Sequence, residues 1–197
     1  MTLHPVALLF DMDGVLVDSL ESWWRALNTS LLAYDQPGIT RDEFVRRFWG
    51  HDLYDNLRRL GLPSEIGAFC NQIFAQYIDC TIVYPENRST LERLQRFRKA
   101  VITNSPRQCV EHILSRFHLT SFFEVVVTSD EVAKGKPDPE LVFAACRQLQ
   151  VSPSEAVLIG DTVNDVLAGH AAGCRVVGLN VEADETIHSL AELLALL

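Results

Sequence analysis

The sequence predicts an α/β fold: a doubly wound parallel sheet with a small helical cap inserted after the first strand. Three observations carry this reading. From residue 85 onward, apolar runs of three to five residues alternate with longer stretches of helical spacing, the pattern of buried parallel strands joined by crossover helices. Residues 18–84 carry helical spacing without strands. One further strand-like run precedes that block, so the core is expected to comprise residues 1–17 and 85–197 and the cap residues 18–84.

The elements follow in order. Val6-Ala7-Leu8-Leu9-Phe10 is the first strand. Residues 19–33 form a helix with Leu20, Trp23, Trp24, Leu27 and Leu31 on one side, and Pro37-Gly38 breaks the pattern. Thr40, with Glu43 three residues later, supplies an N-cap and capping box for a second helix. A third spans 52–60 up to Gly61, and Pro63-Ser64 opens a fourth that runs to Cys80. In the core, a helix over 87–97 leads into the strand Ala100-Val101-Ile102, and Pro106 opens a helix to Phe117. Glu124-Val125-Val126-Val127-Thr128 is the next strand and 138–149 the next helix. Ala156-Val157-Leu158-Ile159 precedes a helix over 163–172, Arg175-Val176-Val177-Gly178-Leu179 is the last clear strand, and a C-terminal helix follows. Hinges for the cap fall near 17–19 and 83–86.

Composition narrows the function. A chain of 197 residues suits one sizeable core with a smaller insertion. The formal net charge of −9 opposes nucleic acid as a partner, since backbone binding needs a basic footprint. Five scattered cysteines without C-x-x-C spacing favour reduced thiols over zinc sites or a disulfide framework. The N-terminal apolar run is too short for a signal-peptide core, and no stretch reaches the length of a membrane span. The expectation is a cytoplasmic protein with no membrane partner, a monomer or homodimer. Lysines are confined to Lys99, Lys134 and Lys136, so a lysine needed for chemistry comes from that set. His4, His112, His118, His170 and His188 show no metal-ligand spacing.

In open α/β folds, ligands bind outside the carboxyl ends of the strands. Asp11 and Asp13 stand at the first of those ends, two residues apart and therefore pointing the same way, beside Gly14. Such a pair makes a metal site, a nucleophile with an acid/base partner, or both. The second strand delivers Thr103-Asn104-Ser105, at once a helix cap and an anion-binding turn. Lys136, fixed by Pro137, is placed to hold a phosphate as a point charge, and that proline excludes a Walker-type nucleotide loop. Gly160-Asp161-Thr162-Val163-Asn164-Asp165 adds an acid at a strand end and another in the first helical turn. Carboxylates, a hydroxyl and a lysine together suit Mg²⁺ bound with a substrate phosphate.

These residues also match a family. Asp11-Met12-Asp13-Gly14-Val15, Thr103-Asn104, Lys136-Pro137 and Gly160-Asp161-x-x-x-Asp165 resemble, in order and spacing, the four motifs of the haloacid dehalogenase superfamily. The helical block after the first strand resembles the cap of its phosphoglycolate phosphatase and β-phosphoglucomutase branch. The resemblance implies that Asp11 is a nucleophile forming an aspartyl-phosphate, and that Asp13 protonates the leaving oxygen and then activates water. It implies that Thr103, Asn104 and Lys136 stabilise the phosphoryl oxygens, and that Asp11, Asp13 (through its backbone carbonyl), Asp161 and Asp165 surround Mg²⁺. Asp13 disfavours dehalogenation, whose ester intermediate needs no such acid. The mutase branch carries a cap histidine ten residues after the second acid, where this chain has Trp23. The best fit is a phosphatase of a small phosphorylated metabolite, phosphoglycolate-like or a sugar phosphate; mutase-type transfer and a non-catalytic binding module remain alternatives. Substrate selection falls to the cap stretch Arg46, Arg47, Trp49, Gly50 and His51, with Arg47 and His51 as candidate substrate contacts beside Asn104.

Overall fold

The computed structural model describes residues 3–197, so the first two residues of the expected segment 1–17 lie outside it. Ala7–Phe10 (β1) leads into the two-residue strand Val17–Asp18 (β2). Leu20–Ala33 (α1), Arg41–Arg47 (α2), Leu53–Arg59 (α3) and Ser64–Ile73 (α4) follow, and Ile82–Val83 (β3) closes the insertion. The block is therefore not free of strands. β2 and β3 pair antiparallel where the helices leave and rejoin the core, and two residues are too few to show a strand period. The fourth helix stops at Ile73, and Phe74–Cys80 continues it as a tighter 3₁₀ segment.

The remainder alternates as expected: Asn87–Arg93 (α5), Arg98–Thr103 (β4), Arg107–Arg116 (α6), Val125–Thr128 (β5), Glu140–Leu149 (α7), Ala156–Gly160 (β6), Val163–Ala172 (α8) and Arg175–Leu179 (β7). α5 ends four residues short of expectation, and residues 94–97 turn into β4, which begins at Arg98. α7 starts at Glu140, behind the prolines at 137 and 139. Glu185–Ile187 (β8) is a strand the sequence did not announce, and Leu193–Leu196 (α9) reduces the C-terminal helix to about one turn.

The large sheet runs β5-β4-β1-β6-β7-β8 with every neighbouring pair parallel. β4 and β5 are added on one side of β1, and β6, β7 and β8 on the other. The switch in direction opens a crevice at the carboxyl end of β1, where open α/β sheets bind ligands. Both sheet faces are buried, which explains the near-continuous apolar runs. Leu8, Phe10, Val101, Val157 and Ile159 face one core with α5, α6 and the inserted helices. Ala7, Leu9, Ala100, Ile102 and Leu158 face the other with α7 and α8.

Candidate active site

Four turns converge at the crevice. Asp11 follows β1 directly, its amide donating to the Ile159 carbonyl at 2.9 Å. Lys136, buried between β5 and α7, reaches Asp11 Oδ1 at 2.8 Å and Asp165 Oδ1 at 2.5 Å through its ammonium. Of the other lysines, Lys99 is buried against the end of α5, donating to the carbonyls of Leu94 (3.0 Å) and Phe97 (2.9 Å). Lys134 is exposed, with Asp138 at 4.0 Å. Only Lys136 enters the site.

Asp11, Asp161 and Asp165 present carboxylate oxygens within 4.8 Å of one another. Asp165 is clamped on both sides: Lys136 holds Oδ1, and the Thr162 amide (3.0 Å) and hydroxyl (2.6 Å) donate to Oδ2. This last pair is a capping box at the start of α8. Asp161 Oδ1 is buried with no hydrogen-bond partner among the described residues. Gly14 makes room for Asp161, since a Cβ there would lie 2.0 Å from Asp161 Oδ2, and its φ of +89° suits glycine.

The electrostatics fit a cation. Burial pushes the Asp11 carboxyl well above the usual range; Lys136 opposes this, and Asp165, Asp161 and Asp13 add to it. Burial and the charge of Asp165 push Asp161 up to about 7, although Lys136 and the Trp49 indole pull it down. Burial works against the Lys136 ammonium, but Asp11 and Asp165 outweigh it and hold its pKa above the ordinary lysine value. Three carboxylates and one ammonium carry a formal charge of −2, which a divalent cation neutralises. The orphaned Asp161 oxygen and the all-oxygen donor set match a hard ion.

Asp13 stands apart from this trio. Its Oδ1 accepts from the Ser19 hydroxyl and, at 3.2 Å, from the Trp23 indole N–H. Its Oδ2 accepts from Ser105 Oγ at 2.6 Å and Thr103 Oγ1 at 3.3 Å. As a metal ligand, the Asp13 carboxylate is therefore not assembled with the others.

The sequence profile of the haloacid dehalogenase-like hydrolases matches residues 8–179, from β1 through β7. The chain belongs to that family. This hydrolase is a phosphatase of the branch that includes phosphoglycolate phosphatases and phosphoglucomutase-like enzymes. It is 34% identical over 190 residues to a phosphoglycolate phosphatase of Pseudomonas savastanoi pv. phaseolicola, covering 89% of this chain and 70% of the relative. It is 32% identical over 183 residues to the pyrophosphatase PpaX of Bacillus velezensis, covering 88% and 82% of the two. Its fold matches that of CbbY from Rhodobacter sphaeroides, solved in complex with phosphate, with a TM-score of 0.86, 25% identity and 96% of both chains covered.

In this hydrolase, Asp11, Asp13, Thr103, Asn104, Lys136 and His51 line one cavity, and Asp161 and Asp165 adjoin it through Asp11. Arg47 is not brought there: it is exposed on α2, paired with Glu43 at 2.5 Å. Asn104 works as a clasp. Its Oδ1 accepts from the Lys136 amide at 2.7 Å, and its Nδ2 donates to the carbonyls of Lys136 (2.9 Å) and Gly50 (3.1 Å). Asn164 Nδ2 donates to the same Gly50 carbonyl at 2.9 Å and lies 3.3 Å from His51 Nδ1. Sequence reasoning missed Ser19, Ser105 and Asn164, and it placed Trp23 on one side of the first helix, in the position of the mutase histidine, without its bond to Asp13. Ser105 and Asn164 had a usable signal, because each lies inside a strand-end turn already singled out.

Proposed function

We propose that this hydrolase is a Mg²⁺-dependent phosphatase of small phosphate monoesters that works through an aspartyl-phosphate on Asp11. The observation that carries the reading is the Lys136 ammonium held between Asp11 and Asp165, beside the unpartnered Asp161 oxygen. In this reading, residues 1–17 and 85–197 are the catalytic core and residues 18–84 the cap. Asp11, Asp161 and the backbone carbonyl of Asp13 would hold the ion. Asp165, with both oxygens engaged, orients Lys136 and would act on the ion through it rather than as a ligand. When bound, Mg²⁺ neutralises charge on the nucleophile and the phosphoryl oxygens.

Asp11 attacks phosphorus as the ester bond breaks, and Asp13 gives its proton to the leaving oxygen. Water then attacks the acyl phosphate, Asp13 takes its proton, and inorganic phosphate leaves with Asp11 restored. Lys136 and Thr103 stabilise charge on the transferring group. Trp23 favours hydrolysis over phosphoglucomutase-type transfer, since an indole N–H donates to Asp13 but cannot exchange a proton with it. The relatives' names make phosphoglycolate one candidate, and sugar phosphates are the other. Five cysteines, none in a disulfide, fit a cytoplasmic setting, and no helix among the described residues is long and apolar enough to cross a membrane.

The test is phosphate release from a panel of monoesters with Mg²⁺ and with a chelator, using wild type and Asp11→Asn. Release that disappears on chelation and falls about a thousandfold or more in Asp11→Asn is expected. Full activity in Asp11→Asn would refute the covalent route.

A further inference from the structure

The walls of the cavity carry information that the strand-end residues do not. Its floor is the charged set around Asp11, Asp13 and Lys136, and the rest of its lining comes mostly from the cap. Six of those side chains are apolar or aromatic: Trp23, Leu27, Phe44, Phe48, Trp49 and Leu53. The polar exceptions on the cap side, His51 and Asn56, bear no fixed charge. Burial and the neighbouring positive charge of Arg59 hold the His51 imidazole below the ordinary histidine range. Asn164 Nδ2 lies 3.3 Å from His51 Nδ1 and, being a donor, pairs with the tautomer that carries the ring proton on Nε2.

Cations are accounted for elsewhere. Lys136 is spoken for by Asp11 and Asp165. Arg47 pairs with Glu43, Arg41 with Glu21, and Arg58 with Asp55, all on exposed faces of the cap. Arg46 and Arg59 are exposed and do not line the cavity. A second anionic group on the substrate would therefore lie against apolar and aromatic side chains, with no arginine in the lining and Arg59 acting only from outside it. Burying an unpaired carboxylate is strongly unfavourable. The free volume of about 60 Å³ also limits size, since one water needs roughly 10–15 Å³ on this measure.

We infer that the leaving group is a small uncharged alcohol with an apolar face, and that hydroxy acids and bisphosphates are rejected. This inference rests on the phosphatase reading above and narrows it, setting phosphoglycolate below neutral esters despite the names of the relatives. Aromatic walls accept the C–H face of such an alcohol, while His51 donates to one oxygen on it.

The experiment uses a matched pair. Phosphoglycolate and 2-hydroxyethyl phosphate differ only in a carboxylate against a hydroxymethyl group, and ethyl phosphate removes the hydroxyl as well. With Mg²⁺ present, kcat/KM for both neutral esters is expected to exceed that for phosphoglycolate at least tenfold. Leu53→Arg, which adds a cation to the half-buried wall, is expected to raise phosphoglycolate relative to 2-hydroxyethyl phosphate by about tenfold. Equal or better turnover of phosphoglycolate by wild type overturns the inference and leaves the phosphatase reading intact. An absence of release from all three esters and from p-nitrophenyl phosphate removes the phosphatase reading, and this inference with it.

Discussion

Asp161 and Asp165 lie four residues apart, one before the N-cap of α8 and one in its first turn, yet their oxygens are committed differently. Both oxygens of Asp165 are taken by Lys136 and Thr162, whereas Asp161 Oδ1 is buried without a partner. In sequence the two acids are equivalent candidates, and only the bonds separate them. Asp161→Asn is expected to raise the Mg²⁺ concentration for half-maximal activity by about 10–100-fold, a loss that added metal repairs. Asp165→Asn is expected to lower kcat by a similar factor, because Lys136 loses a charged partner, and added Mg²⁺ should not restore it. A Mg²⁺ titration of both variants separates these roles; identical rescue of the two contradicts the assignment. Asp11, Asp13 and Lys136 were legible because strand-end position and residue type suffice to place them. Trp23 was not, since its helical spacing fits packing equally well and its indole reaches Asp13 only once α1 is docked.

At the scale of elements, the long alternating runs were legible and the short strands were not. β1, β4, β6 and β7 carry their own signal in consecutive buried residues. β2 and β3 have two residues each and exist through each other, distant in the chain, while the three-residue β8 pairs with the neighbouring β7. Asn87, at the start of α5, ties one of these regions down: its Nδ2 donates to the carbonyls of Val15 (2.8 Å) and Leu16 (2.9 Å), all buried. Asn87→Ala leaves both carbonyls without that donor and is expected to destabilise the fold by about 1–3 kcal/mol. A lower denaturation midpoint at unchanged m-value is the signature. No change in midpoint would show that the loop between β1 and β2 holds itself.

At the scale of the whole molecule, one backbone carbonyl of residues 18–84 gathers two of the contacts with the core. Gly50 accepts from Asn104, in the turn after β4, and from Asn164, in the first turn of α8. Its φ is +76°, and a Cβ there would lie 2.9 Å from Thr162 Cγ2. The same Thr162 clamps Asp165, so cap docking and site geometry share a residue. Gly50→Ala should loosen this closure and lower kcat/KM about tenfold or more while the core stays folded, as expected where a lid completes a site. Unchanged kinetics would uncouple docking from catalysis. The central claim is the covalent role of Asp11, and acid quenching during turnover followed by borohydride reduction tests it most directly. The account predicts homoserine at position 11, only with Mg²⁺ and substrate present, and none in Asp11→Asn. Steady turnover that leaves Asp11 unmodified under those conditions, or reduction at another carboxylate, contradicts it.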